Sequence, residues 1–125
     1  LSTGPTAITA AATWSAGASI SRTLTAGVWL LTGSFSTTAF AGAATDFEVY
    51  IGTTQATSGT AQPAGTSLGA DYFWCPGNDT SDTAAFSFPF KLVNISTTTT
   101  YYLGIRSPYT VSSGIYLFLN AVRIA

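Results

Sequence analysis

The feature that constrains this chain most is the run of residues 115–124, which is apolar on both sides of an alternating pattern. Its apolar side chains divide between two faces: Ile115, Leu117, Leu119 and Ala121 on one, and Tyr116, Phe118, Val122 and Ile124 on the other. Successive residues of a strand point to opposite faces, so an antiparallel strand that is apolar on both is buried on both. The core of a single domain covers one face. We therefore expect a neighbouring subunit to cover the other, with contributions from Tyr116, Phe118 and the strand that carries Tyr101 and Tyr102.

Period-two patterns rich in β-branched and aromatic residues recur along the whole chain, separated by clusters of Gly, Pro, Ser, Thr and Asn. Helix formers are scarce, and no amphipathic period of 3.6 residues is present. About eight strands are predicted: a short one near Trp14, then 18–24, 27–37, 45–53, 68–74, 83–93, 99–107 and 115–124. Regular strand spacing with intervening turns is typical of an antiparallel sandwich or barrel. The 125 residues, without repeat or linker, suit one domain spanning 1–125.

Two of these strands carry specific expectations about their faces. In residues 45–53, Phe47, Val49 and Ile51 alternate with Asp46, Glu48 and Tyr50, which predicts one core face and one solvated face. In 83–93 the alternation places Phe86, Phe88, Phe90 and Leu92 on a single face. Pro89 has no amide donor, so this strand is expected to lie at a sheet edge or to carry a bulge.

Charge and histidine content exclude several classes of function. Only 7% of the residues are charged and the net charge is −1, so no basic surface for nucleic acid is expected. The chain has no histidine, which removes Ser-His-Asp and Cys-His catalysis and the usual zinc sites. Its one cysteine, Cys75, permits no disulfide within the chain, and we interpret it as a small, partly buried side chain. No apolar run approaches the length of a membrane-spanning helix, so no membrane insertion is expected.

Carboxylates leave two chemical possibilities open. Asp46 and Glu48 share a strand face, and their spacing permits the paired acids of a glycosidase, although any half-exposed strand shows the same alternation. Oxygen ligands for Ca²⁺ are available from Asp71, Asp79, Asp82 and Asn78, but their spacing fits no EF-hand. We favour a solvated turn, in which such side chains bond the local backbone. The chain is therefore predicted to be no enzyme and to need no metal or cofactor.

Three adjacent aromatic residues precede that acidic turn: Tyr72, Phe73 and Trp74. They exceed what one core-facing side of a strand can bury, and Trp and Tyr are enriched at binding surfaces. Nearby amides and carboxylates would be placed to orient sugar hydroxyls. The alternative, which we favour, is that Tyr72 and Trp74 face the core or a subunit contact while a loop covers Phe73.

Three segments together resemble a known family: GVWLLTGSFS at 27–36, TYYLGIR at 100–106 and LNAVRIA at 119–125. They are similar to the C-terminal domains of bacteriophage tail fibres and related virion appendages, over roughly residues 18–125. The resemblance implies a C1q/TNF-like jelly roll that forms a homotrimer at the distal end of a fibre and contacts the host surface. Residues 1–12 would then connect to an upstream shaft or domain. The shared motifs are structural, and no ligand-binding residue carries over.

This interpretation predicts a virion protein, made in the bacterial host cytoplasm, that attaches to a host-surface polysaccharide or protein without catalysis. Three weak sites on one rigid trimer would gain avidity on a repetitive cell surface. Two alternatives remain open: a structural capsid-decoration or fibre-cap protein without a ligand, and a carbohydrate-binding module of a secreted protein.

The position of a ligand site follows from counting strand crossings. With eight crossings, loops 38–44, 75–82 and 108–113 fall at the end opposite the chain termini, while 54–65 and 94–98 fall near them. Ligand contacts concentrate on loops carried by a rigid scaffold. The candidate ligand-binding residues are therefore those of the far loops: Trp74, Asn78, Asp79, Asp82 and Tyr109.

Overall fold

The structure is a computed structural model that describes residues 6–8, 14–15, 19–37, 48–55, 58–59, 85–87, 91–106 and 111–125. These residues form ten strands and no helix. The strands are β1 (Thr6–Ile8), β2 (Trp14–Ser15), β3 (Ser19–Leu24), β4 (Gly27–Thr37), β5 (Glu48–Gly52), β6 (Ser58–Gly59), β7 (Ala85–Ser87), β8 (Lys91–Ile95), β9 (Thr99–Arg106) and β10 (Val111–Arg123). The all-β prediction is confirmed. The strand predicted at 68–74 lies outside the described residues.

The strands pair into two main antiparallel sheets and one short ribbon. In the large sheet, β10 lies between β1 and β4, and β4 also pairs with β7 and β8. In the small sheet, β9 lies between β3 and β5. The ribbon consists of β2 and β6, and it places Ser58–Gly59 in a paired segment where the sequence predicted only a loop, 54–65.

The hydrophobic core lies between the two sheets. One cluster joins Leu24 and Tyr101 of the small sheet to Leu31, Val93 and Ile95 of the large sheet. The predicted inner face of β10 is buried as expected, with Ile115, Leu117 and Leu119 inaccessible to solvent. Each such side chain contributes about 1.5–3 kcal/mol on burial. The alternation of apolar residues thus decides which face of each sheet turns inward.

The strand predicted at 83–93 is divided, and the division changes which residues are exposed. Residues 85–87 pair with 36–34 of β4, whereas residues 91–95 pair with 31–27. Three residues, 88–90, separate the two paired segments, whereas only Thr32 and Gly33 separate their partners on β4. The difference of one residue is the offset of a β-bulge. The offset agrees with the irregularity predicted at Pro89, although residues 88–90 lie outside the described part.

A one-residue offset exchanges the two faces of a strand. Consequently Leu92 is 64% exposed, while Val93 and Ile95 are buried. The prediction that Leu92 shares one face with Phe86 is wrong, because Phe86 pairs with Phe35 and Leu92 pairs with Leu30, on alternate positions of β4. Phe88 and Phe90 lie outside the described residues.

The predicted solvated face of β5 is also wrong at Tyr50. Val49 is buried toward the core and Ile51 packs against it, as expected. Tyr50, on the opposite face, is nevertheless only 2% exposed. Its ring lies over Gly104 of β9, where a side-chain carbon would overlap it, and Tyr102 packs against it. The alternation predicted which way Tyr50 points but not that its ring is buried there.

The strand registers place the connections at two ends of the sandwich. Gly27 pairs with Ile95, and Val28 bonds Ala125, so the turn that follows β8 lies at the same end as residue 125, as predicted. At the other end lie Thr37 and Arg106, which precede the predicted loops 38–44 and 108–113. β10 begins earlier than expected, at Val111, because residues 111–115 pair with β1. Residues 75–82 lie outside the described part, so their place at that end stays a prediction.

Candidate interaction surface

The large sheet turns one face to the core and the other away from the small sheet; the latter is called the outer face. On this face Leu30 of β4 is flanked directly by Leu92 of β8 and Val122 of β10. Side chains paired in this way across antiparallel strands have Cβ atoms about 4.5–5.5 Å apart. Leu92 is 64% and Val122 is 61% exposed. Three aliphatic side chains therefore form a continuous row that no described residue covers.

A second aliphatic pair extends this row toward the end of β10. The Ile124 amide donates to the Val28 carbonyl at 2.8 Å, and Ile124 is 57% exposed. The five side chains together are called the apolar patch: Val28, Leu30, Leu92, Val122 and Ile124. With three of them more than half exposed, the patch amounts to roughly 300 Å², near the largest patch that a typical monomer shows. A patch of this size lies at the lower end of the range for such patches, which makes it a candidate contact surface.

The outer face carries no charge at any described position. Beyond the patch it presents hydroxyl, amide and aromatic side chains: Thr32, Ser34, Ser36, Ser87, Asn94, Tyr116, Phe118 and Asn120. Lys91 and Arg123 occupy the alternate positions of β8 and β10. A face without cations offers nothing to a nucleic acid or an anionic surface. It can meet another uncharged face without burying an unpaired charge, which would be costly.

The end of β10 is fastened to the β3–β4 turn by a set of hydrogen bonds, called the clasp. Arg123 Nη2 donates to the Ala26 carbonyl at 3.2 Å, and Arg123 Nε donates to the Ala125 carbonyl at 3.3 Å. The Val28 amide donates to the same Ala125 carbonyl at 2.8 Å. The guanidinium thus connects the turn to the segment that follows β10.

Gly27 makes the clasp possible. Its φ is +145°, in the region that L side chains rarely adopt, and an added Cβ would meet the Ala125 oxygen at 2.7 Å and Arg123 Nε at 2.8 Å. The turn itself is held by Trp29, whose Nε1 donates to the Thr25 carbonyl at 2.9 Å. A residue other than glycine would strain the backbone and displace the guanidinium.

The tyrosines predicted to support the subunit contact separate between different surfaces. Tyr101 is 8% exposed and packs in the core, where burial raises its pKa above the ordinary value. Alternation on β9 therefore turns Tyr101 inward, and a contribution of the Tyr101/Tyr102 strand to a subunit contact stays a prediction. Tyr102 lies on the far side of the small sheet beside Tyr50. Tyr116 and Phe118 are half-buried on the outer face.

None of the candidate ligand-binding residues lies in the described part of the chain: Trp74, Asn78, Asp79, Asp82 and Tyr109. The same holds for Asp71, Tyr72, Phe73 and Cys75. Of the paired carboxylates, Asp46 is likewise outside, and Glu48 is the register partner of Arg106. The described residues contain no group of three or more His, Cys, Asp or Glu side chains able to hold a metal ion. Nor do they contain a helix long and apolar enough to cross a membrane.

The sequence predicted one half of the apolar patch and missed the other. The second apolar face of β10 predicts Val122 and Ile124. Simple alternation over 83–93 instead places Leu92 on the face of Phe86, because it does not include the one-residue offset near Pro89. An extra residue at a proline that interrupts a strand is the signal that would have found it.

No protein-family model matches this chain, and a comparison with curated proteins found no match.

Proposed function

We propose that this chain is a non-enzymatic virion appendage domain that assembles as a homotrimer and attaches to a glycan on the host surface. The observation that carries the assembly is the uncharged outer face with its exposed apolar patch. The attachment follows from the resemblance to tail-fibre tips.

The strand order supports a jelly roll of the C1q/TNF-like kind for the fold. From β3 onward the strands of the two main sheets alternate, if β7 and β8 are taken as one interrupted strand: β3, β5 and β9 belong to the small sheet, and β4, β7 with β8, and β10 belong to the large one. Strands that pair within a sheet are consequently far apart in sequence, as in β1 with β10 and β3 with β9. This alternation is the pattern of nested Greek keys in which two sheets form one sandwich.

A second copy of the chain is the partner that suits the outer face best. Nine residue pairs join β10 to β4, so the face runs roughly 30 Å along the strands and about 15 Å across them. That is roughly half of the 800 Å² that a standard interface takes from each partner. Covering the exposed parts of Leu92, Val122 and Ile124 contributes about 1–2 kcal/mol each.

The distribution of apolar residues on the outer face is compatible with a ring, and the resemblance to tail-fibre tips favours a ring of three subunits. Each subunit of a ring contributes two different contact regions to its two neighbours. The outer face has two: the apolar patch at one end, and Tyr116 with Phe118 at the other. The polar pair Thr32 and Asn120 separates them. In the trimer, one region of each subunit packs against the other region of its neighbour.

Binding of the host would use the loops at the end opposite Ala125. Three copies of a weak site, held rigidly in one orientation, gain avidity on a repetitive surface. Residues 75–82 supply the amide and carboxylate groups that bind sugar hydroxyls, and Trp74 supplies an apolar face.

A glycan array probed with the purified oligomer tests the attachment. We expect binding to a restricted set of glycans, its loss in Asn78→Ala with Asp79→Ala, and an unchanged oligomer mass in that variant. The control is Ser21→Ala, on the exposed edge strand of the small sheet, which should bind like the wild type.

Three outcomes would contradict parts of the proposal. An oligomer that binds no glycan or host cell would favour the structural decoration or cap protein. Binding by a monomer would favour the carbohydrate-binding module. Released oligosaccharide that disappears in Asp46→Asn with Glu48→Gln would show that the domain is a hydrolase.

A further inference from the structure

We infer that Arg123 is a positioning residue of the subunit contact: its guanidinium holds the end of β10 against Gly27, so that Ile124 stays beside Val28 at the edge of the apolar patch. This inference rests on the proposed self-association and assigns a cause to the shape of the contact surface.

The end of β10 needs such a device because burial does not hold it there. The register of β10 with β4 ends at the pair Arg123 and Trp29. Ile124 and Ala125 lie beyond it, are exposed, and would fray as chain segments without tertiary contacts do. They are instead held by hydrogen bonds of the Ile124 amide and the Ala125 carbonyl to Val28.

Arg123 secures these bonds from the side. Its two donors reach carbonyls in different segments, Ala26 in the turn and Ala125 beyond the strand, at 3.2 and 3.3 Å. The planar fork of an arginine fits two separated acceptors, whereas a lysine ammonium is a single charged point. Gly27 leaves the space that the guanidinium fills. Arg123 therefore supports Ile124 indirectly, by holding the carbonyls of Ala26 and Ala125 on either side of the segment.

The consequence concerns association more than folding. Arg123 is exposed, and its bonds involve no core side chain, so its loss should leave the sandwich intact. The loss would free residues 124–125 and remove one edge of the apolar patch. Loss of the clasp should therefore change the geometry of the contact surface without changing the stability of the fold.

The test compares Arg123→Gln and Arg123→Lys with wild-type full chain by amide hydrogen exchange and by sedimentation over a concentration series. In Arg123→Gln we expect the Ile124 and Val28 amides to exchange at least tenfold faster, with no change at Leu117. The dissociation constant of the oligomer should rise about tenfold, equivalent to about 1.4 kcal/mol. Arg123→Lys should recover only part of either effect. Arg22→Gln, which removes the same charge from the small sheet, is the matched control and should change neither.

The outcomes separate this inference from the proposal beneath it. Unchanged exchange at Ile124 and Val28 in Arg123→Gln would overturn the positioning role whatever the oligomeric state. Faster exchange with an unaltered dissociation constant would overturn it also, because the clasp would then not shape the contact. A wild type that sediments as a monomer would instead refute the proposed self-association, while the exchange data would still report whether Arg123 holds the segment.

Discussion

Replacement of Gly104 by alanine should be among the most destabilising single-methyl changes in the small sheet. Gly104 lies at the centre of this sheet, between Ser19 of β3 and Tyr50 of β5. The Tyr50 ring crosses over it and is 2% exposed. An alanine Cβ would overlap Cε1 of that ring and stand 2.8 Å from Cζ and 3.0 Å from Cδ1. The ring has no solvent to move into, so it must tilt or the strands must part.

Two limits bound the loss in the free energy of unfolding that Gly104→Ala should cause. Forcing a methyl group into a well-packed site costs about 1–3 kcal/mol when the surroundings adjust. Expelling the whole ring would forfeit its buried area of about 150–250 Å², or roughly 4–6 kcal/mol. Because Tyr102 packs against Tyr50 and restricts its movement, we expect a loss of stability between these limits, about 2–4 kcal/mol.

The assay is urea unfolding of Gly104→Ala, Tyr50→Ala and the double variant, at one fixed protein concentration because association contributes to stability. Removing the ring removes the clash, so Gly104→Ala should cost less than about 1 kcal/mol in the Tyr50→Ala background. Additive effects of the two substitutions would refute the argument, since they would mean that the ring and the methyl group do not compete for one site.

Three further perturbations are predicted together. Leu92→Asp should raise the dissociation constant of the oligomer at least tenfold in sedimentation, with little change in the melting temperature, because Leu92 is exposed in the subunit. Ser21→Asp is the control, and equal weakening of association by both variants would contradict the proposed contact surface. Gly27→Ala should lower stability by about 1–3 kcal/mol in thermal unfolding, because its φ of +145° strains any L side chain; an unchanged melting temperature would contradict this. Burial raises the pKa of Tyr101, so above about pH 10 this tyrosine ionises first in the unfolded chain and the free energy of unfolding falls as pH rises. Tyr101→Phe should reduce that fall. Equal dependence of the unfolding free energy on pH in both proteins, between about pH 8 and about pH 11, would count against the argument.

Much of the fold was predictable because local patterns determine strands directly. The strand predicted at 27–37 is β4, Gly27–Thr37, and the one predicted at 18–24 is β3 with one residue fewer. In both, alternation of apolar residues and the turn at 25–26 leave little choice of register. The inward face of β10 followed from the same reasoning.

What failed depends on partners that no local pattern contains. Whether Tyr50 is solvated depends on what covers the far side of the small sheet, and its own strand shows only which way it points. The face on which Leu92 lies depends on how many residues separate β7 from β8, compared with the two residues, Thr32 and Gly33, that separate their partners on β4. The clasp joins Arg123 to Ala26, which are 97 residues apart in sequence, and no spacing rule connects them.

The mass of the purified chain in solution tests the central claim most directly. Sedimentation equilibrium at micromolar concentration should give three times the 12.9 kDa of one chain, and the apolar patch should be protected from solvent in the assembly. A mass of one chain at that concentration would contradict the account, because the outer face would then remain exposed and the trimer, with the avidity built on it, would not exist.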